Sequence, residues 1–380
     1  MRTVVEVLFW LCAGLLVYAQ FGYPLLLALL AGGKSAEPAP LAEDALPSVT
    51  LIVAAYEEAS VIEGKVANAL ALDYPREKLQ LIVACDGSPD DTPALARAAG
   101  ADLVLELPHG GKMAAQNAAV AQATGEVLAF SDANTIWEPG ALRELVSAIS
   151  QDGVEYVCGQ VKFVNDAGTN QEGVYWRYEM WLRARESKLR SVTAGNGAIY
   201  AVTPANYAAI APKTGHDLTL PFQTVKHDGR AIYEPSARAS EAMVPSLEGE
   251  FKRKRRMMSF AWPIILRGGM LKPKGYGAIY GWMMFSHRVL RYKAPFLHLG
   301  ALITSAILAP DSTLYLVLLI LQLALLAAAA IAPLVKLKPF LIARYYVLTT
   351  ASVALGLVDY LRKGTDQILD EGWSPPEGTR

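Results

Sequence analysis

The sequence predicts an α/β protein, a mostly parallel, Rossmann-like sheet with flanking helices, set between apolar segments at the two ends of the chain. Three observations carry that prediction. Between residues 47 and 250, short runs rich in β-branched residues alternate with helical stretches, the pattern of a parallel sheet covered by helices. The chain has 380 residues, 53% of them hydrophobic, and the apolar excess lies at its two ends. Basic residues crowd the exit from the middle segment, where Lys252-Arg253-Lys254-Arg255-Arg256 is followed by Arg267, Lys272, Lys274, Arg288, Arg291 and Lys293.

Taken in order, Val7–Ala31 is almost wholly apolar, with Gln20 the main interruption. About 20 such residues span a bilayer, and a run this long exceeds the apolar core of a cleaved signal peptide. A retained anchor is therefore expected, followed by a flexible linker over Gly32–Leu46; together they make a first unit of 1–46. Within 47–250, strands are expected at Val49–Ala54, Leu79–Cys85, Val127–Ser131 and Glu155–Gln160. Helices are expected at about Ala59–Leu72, Thr92–Ala99, Lys112–Ala123 and Leu218–Lys226. Residues 251–293 form a basic segment. In it Met257–Leu271 and Tyr276–Val289 mix Trp, Phe, Met and Arg, as amphipathic helices lying in a membrane interface do. Three further apolar runs, Pro295–Pro310, Leu314–Val335 and Phe340–Leu361, make up 294–361, and a tail covers 362–380. The basic belt beside apolar runs places the middle domain on the cytosolic side by the positive-inside rule; a solvated charged face is the alternative.

A net charge of −1 excludes the broad basic field of a dedicated nucleic-acid binder. Cys12, Cys85 and Cys158 lie too far apart in sequence for a zinc knuckle and cannot all pair. Ligands of an open parallel sheet bind beyond the carboxyl ends of its strands. That rule selects Tyr56, Glu57 and Glu58 after the first strand, Asp86 after the second, and Asp132 and Asn134 after the third. One acidic residue at a strand end is commonly a turn former or cap; several along one sheet edge suit a divalent cation bridging phosphates. Neither a dinucleotide-binding Gly-x-Gly-x-x-Gly nor a Walker loop is present. His109, His216 and His227 lack metal-ligand spacing and read as surface or loop residues. In Trp176-Arg177-Tyr178-Glu179 and Trp181, a bilayer-interface role ranks ahead of acceptor stacking.

These residues resemble the family-2 inverting glycosyltransferases with the GT-A fold, in particular the membrane-integrated branch of cellulose, chitin and hyaluronan synthases. The resemblance runs from about Pro47 to Met257. Val53-Ala54-Ala55-Tyr56-Glu57-Glu58 is similar to the family's opening nucleotide-binding turn, with Glu57 where Asn is usual. Asp86-Gly87-Ser88-Pro89-Asp90-Asp91-Thr92 is similar to the D-G-S-x-D-x-T element, and Gly111-Lys112 with Asn117 to the G-K…N element. Ser131-Asp132-Ala133-Asn134 stands where the family carries D-x-D. The resemblance thus implies Ala55, Tyr56, Glu58, Asp86, Lys112 and Asp132 as nucleotide-binding residues, and Asp132 with Asn134 as ligands of Mg²⁺ or Mn²⁺. Lys112 is equally readable as a solvated residue at a helix start. Gly195, Asn196 and Gly197 resemble the acceptor loop. His216-Asp217-Leu218-Thr219-Leu220-Pro221 resembles the motif bearing the catalytic base, which makes Asp217 that base; taken alone, Asp217 reads as a helix N-cap. Arg253 and Arg256 stand in the region of Q-x-x-R-W, of which only Arg256 matches, and are implied to bind the diphosphate; attraction to anionic lipid is the other role open to that run.

The implied protein is an integral membrane enzyme, of the inner membrane with its catalytic domain cytosolic. It passes sugar from a UDP-sugar to a membrane lipid, lipid-linked saccharide or short glycan. Two rivals stand beside it: a processive polysaccharide synthase, and a transporter or channel with a regulatory nucleotide-binding domain. Trp373 and Arg380 resemble the tail of members whose C-terminus returns toward the active site.

Overall fold

The computed structural model describes residues 1–32, 40–164, 172–207, 215–242, 247–335 and 337–370, with only the backbone course given for 172–175 and 365–370. Trp373, Arg380 and residues 33–39 of the linker lie outside the described residues. Among the described residues, eight strands form one sheet: β1 Val49–Ala55, β2 Leu79–Asp86, β3 Leu103–Leu107, β4 Val127–Asp132, β5 Ile136–Trp137, β6 Val154–Val164, β7 Ile199–Val202 and β8 Arg230–Ala242. Their spatial order is β3-β2-β1-β4-β7-β6-β8-β5. The pairs β1·β2, β1·β4, β2·β3 and β6·β8 are parallel; β4·β7, β6·β7 and β5·β8 are antiparallel. Register aligns Val49 with both Leu79 and Val127. The carboxyl ends of β1, β2 and β4 therefore reach one sheet edge together and deliver Tyr56, Asp86 and Asp132 there.

The helices are α1 Arg2–Val17, α2 Tyr23–Leu30, α3 Ile62–Leu70, α4 Thr92–Ala98, α5 Lys112–Val120, α6 Ala141–Ile149, α7 Glu172–Leu189, α8 His216–Lys226, α9 Leu247–Leu266, α10 Gly277–Met283, α11 Leu290–Leu308, α12 Thr313–Val335 and α13 Lys338–Asp370. Alternate side chains of β1 go to opposite faces, as a pleated strand requires. Leu51 and Val53 pack with Ile62 and Val66 of α3 and Leu142 and Leu145 of α6. Ile52 packs on the other face with Ala115 and Ala119 of α5. A third apolar cluster joins Tyr23 and Leu27 of α2, Phe222 of α8, Trp262 of α9, Tyr280 of α10 and Val353 of α13, and so fastens the sheet domain to the terminal helices.

Among the described residues, four helices are long and apolar enough to cross a membrane: Arg2–Leu30, Gly277–Asp311, Thr313–Val335 and Lys338–Gly364. The second takes in most of the segment expected to be an interfacial helix, Tyr276–Val289. That segment continues through a π-helical turn at Met284–Val289 into α11, a single rod of 35 residues. At 1.5 Å per residue it is about 50 Å long, well beyond a ~30 Å hydrocarbon layer. His287 and Arg288 within it are buried. His287 Nδ1 meets Glu186 at 2.7 Å and Arg291 meets Glu179 at 2.6 Å, both carboxylates coming from α7. Pairing with buried acids of the sheet domain lets a segment that reads as amphipathic serve as its mount. Likewise α9 does not lie free: Trp262 Nε1 donates to the Val353 carbonyl of α13 at 3.0 Å. Sequence reading also passed over β3, a half-buried edge strand, the two-residue β5, the short β7, and α6.

Candidate active site

The turn after β1 is held by the segment after β2. Glu57 takes a left-handed φ of 52°. The backbone amides of Glu57 and Glu58 donate to Ser88 Oγ and Thr92 Oγ1, both at 2.9 Å, and that of Ala59 to Asp90 Oδ2 at 3.2 Å. Asp86 is buried, and its carboxylate accepts the amides of Gly110 at 2.8 Å and Gly111 at 2.9 Å. Gly87, at φ 69°, has no room for a Cβ because the His109 amide would lie 2.7 Å from it. Tyr56 and His109 face each other with ring centroids 4.7 Å apart. Ala55, Tyr56, Glu58 and Asp86 thus form one cluster with the Gly110-Gly111 turn, a backbone-rich corner of the kind that approaches a nucleotide closely.

A cavity of about 650 Å³ opens beside this corner. Lys112, Asp132, Asn134, Gly195, Asn196, Gly197, Asp217, Arg253 and Arg256 all line it, so residues from five separate motifs meet on one surface. Lys112, at the start of α5, is ion-paired with Asp132 rather than solvated. Burial alone would lower its pKa, but the Asp132 carboxylate outweighs that and holds the ammonium charged. Asn134 hydrogen-bonds to Glu241, a residue near the end of β8 that sequence reading missed. Burial, reinforced by the Asp132 charge, pushes the Glu241 carboxyl up to about 7. No local motif marks Glu241; only the sheet order brings it to the cavity.

Asp217 lies in the first turn of α8, and Gly215, not Asp217, is the N-cap residue. Burial raises the Asp217 carboxyl above its usual range, with Lys112 opposing. A half-buried carboxyl with raised pKa at a cavity wall is the arrangement expected of a proton acceptor. Its neighbour His216 corrects the expected surface histidine. The ring is 2% exposed, and its Nδ1 is 2.8 Å from the Tyr200 hydroxyl. Burial and the Lys112 charge push its pKa down to about 3, so it stays neutral. Tyr207 links it to Asn117, donating to the Asn117 carbonyl oxygen at 2.7 Å. His109 is likewise engaged, its Nδ1 standing 2.9 Å from the Asp86 carbonyl.

The 195–197 loop is fixed from below. Arg183 Nη2 donates to the Gly195 carbonyl at 2.9 Å, and the Gly195 amide donates to the Asp217 carbonyl at 2.7 Å. The Asn196 side chain is spent on bracing, donating to Gly159 O at 2.7 Å and accepting from the Ile199 amide at 2.9 Å. What the loop offers a ligand is therefore mainly backbone. The basic run divides its tasks: Arg253 forks onto Glu250 at 2.7 and 2.9 Å, while Arg255 forks onto Asp359 of α13, both bonds 2.6 Å. The aromatic stretch also divides. Trp176 donates to Val161 O at 2.8 Å and lines the cavity, whereas Trp181 packs where the sheet domain meets the terminal helices.

Oxygen donors of the kind hard cations take are present in Asp132, Asn134 and Glu241. Among the described residues no three His, Cys, Asp or Glu side chains already converge as a metal set. The cavity continues between the terminal helices, where Tyr292 of α11 and Tyr345, Thr349 and Val353 of α13 line it.

Residues 50–205 match the family profile described as Glycosyl transferase family 2. Glycosyltransferase AglE of Haloferax volcanii is 32% identical over 128 residues, 32% of this chain and 42% of that protein. A beta-monoglucosyldiacylglycerol synthase of Synechocystis is 30% identical over 219 residues, 52% of this chain and 43% of that protein. The chain thus spans less than half the length of these curated relatives. Among solved structures, mannosyltransferase PcManGT of Pyrobaculum calidifontis, determined with GDP-Man and Mn²⁺, superposes with a TM-score of 0.70 over 93% of this chain and 99% of that one, at 24% identity. That likeness establishes the fold, a GT-A sheet with long apolar helices at the N-terminus and in the C-terminal region.

Proposed function

From the premise that this chain carries a family-2 glycosyltransferase domain, an enzyme domain, over residues 50–205, we propose that it transfers a sugar with inversion from a UDP-sugar to a membrane lipid or lipid-linked saccharide. One observation supports this above the others: a single cavity is walled by Asp132, Lys112 and Asp217 on one side and by α11 and α13 on the other. An acceptor lying among those helices would present its head group to Asp217 without leaving the membrane surface.

The roles follow from position. The corner around Asp86, Tyr56 and Gly111 receives the nucleoside. Lys112, Arg253 and Arg256 turn positive charge toward the diphosphate, where fixed cations stabilise the leaving group. A bound Mg²⁺ or Mn²⁺, held through Asp132 and Asn134, would supply further neutralisation of that leaving group. Asp217 takes the acceptor hydroxyl proton as the acceptor oxygen bonds to the anomeric carbon and the bond from that carbon to the diphosphate oxygen breaks. His216, neutral and hydrogen-bonded to Tyr200, orients the turn that carries Asp217 and adds no charge. In this reading the terminal helices hold the enzyme in the inner membrane with the sheet domain cytosolic, the side that the basic belt favours.

The purified full chain, incubated with UDP-sugars and a lipid extract, should give a lipid bearing one or a few added sugars. GDP-mannose, the donor bound by PcManGT, is the second donor to assay. A ladder of long chains would replace this reading with a processive synthase, and no donor turnover at all would sink the enzymatic assignment.

A further inference from the structure

We propose that Glu241 is a working part of the cation and diphosphate subsite, an oxygen donor to the divalent ion alongside Asp132 and Asn134. The inference rests on the reading above that Asp132 holds that ion. Its first support is placement. Strand β8 pairs with β5 so that Ser240 lies opposite Ile136. Residue 241 therefore abuts the turn that runs from Asp132 to Thr135, although more than a hundred positions separate them in sequence. Both Glu241 and the turn line the same cavity.

The second support is charge. Asp132 is ion-paired with Lys112, so those two groups cancel. Asn134 is neutral, and Arg253 is balanced by Glu250. Asp217 and Glu241 are the remaining carboxylates coupled to Asp132, and Asp217 is assigned to the acceptor proton. Glu241 therefore supplies the carboxylate that an acidic second residue of the D-x-D motif would otherwise have provided beside Asn134. The third support is the hydrogen bond between Asn134 and Glu241. A carboxylate can only accept from an amide, so the Asn134 NH₂ points to Glu241. One carboxylate oxygen of Glu241 suffices for that bond, which leaves the other for the ion.

The test titrates the detergent-solubilised full chain with Mn²⁺ in the presence of UDP and follows the free-Mn²⁺ electron paramagnetic resonance signal, a readout independent of turnover. Wild type should bind one ion per chain. Glu241→Gln should weaken binding about tenfold or more, the scale at which metal-site partners act; Glu241→Asp should recover part of the loss, and Asp132→Asn should remove binding. If Glu241→Gln binds Mn²⁺ within twofold of wild type while Asp132→Asn loses it, the role given to Glu241 is wrong and the metal reading stands. If Asp132→Asn also binds normally, or wild type binds no Mn²⁺, the metal reading fails and the inference with it. Thermal unfolding of each variant, expected within a few degrees of wild type, separates lost ligation from lost folding.

Discussion

Replacing Gly195 by alanine would put a methyl group onto the hydroxyl of Tyr156. Tyr156 cannot move aside: it is 0% exposed and its ring stacks on Tyr200 with centroids 5.7 Å apart. The 195–197 loop must shift instead, which breaks the Arg183 bond to the Gly195 carbonyl and the Gly195 amide bond to the Asp217 carbonyl. A hydrogen bond from a charged donor is worth about 1.5–3 kcal/mol and a neutral one about 0.5–1.5 kcal/mol. Together they amount to about 2–4.5 kcal/mol, a loss of roughly 30- to 2000-fold in kcat/KM if the geometry is needed in the transition state. Steady-state transfer from donor to acceptor measures it. The hydroxyl is the nearest obstacle, with Cζ behind it at 2.9 Å, so Tyr156→Phe in the same chain should restore part of the activity, a coupling that a double-mutant cycle reads directly. If G195A keeps activity within threefold of wild type, or if Tyr156→Phe rescues nothing, the loop does not position Asp217 in the way described.

Three further expectations concern protons and topology. Burial raises the Asp217 carboxyl, and the base works deprotonated, so kcat/KM should rise with pH along an acid limb lying above the ordinary Asp range near 3.8; a limb at or below that value would point to another base. Lys65 is fully buried, donates to the Thr135 carbonyl at 2.8 Å, and is pushed down to about 7 by burial. Between about pH 7 and 10.5 the unfolded chain then binds the extra proton, so wild type should gain stability with rising pH relative to Lys65→Met, by at most about 1.4 kcal/mol per pH unit; equal pH slopes in thermal unfolding would contradict it. Both charged side chains within the last apolar run pair with α9, Arg344 with Glu248 at 2.7 Å and Asp359 with Arg255 at 2.6 Å. A cysteine placed at Lys363 should therefore be labelled from the side on which the sheet domain lies, and labelling only from the other side would mean that α13 crosses fully.

The sheet edge was legible because strand and helix periods are local, and a shared register turns strand ends into a row. Asp86, Lys112, Asp132 and Asp217 could be named from short motifs for the same reason. Glu241 and Arg183 could not, since each acquires its meaning from a strand or loop distant in sequence. The charges of Glu179 and Arg291 misled in the same way. Read along the chain they suggest an interfacial face, whereas in the fold they pair with each other at the junction between α7 and the α10–α11 segment. His216 looked exposed because a polar residue before a helix commonly is, and only the aromatic layer of β4 and β7 shows that it is covered.

The account turns on Asp217 as the group that accepts the acceptor proton. Single-turnover transfer by Asp217→Asn, with donor binding measured alongside, tests it most directly. The amide keeps the shape of the site and removes the base, so transfer should fall by at least about a hundredfold while donor affinity stays within a few-fold of wild type. Transfer at the wild-type rate with the donor still bound would contradict the account.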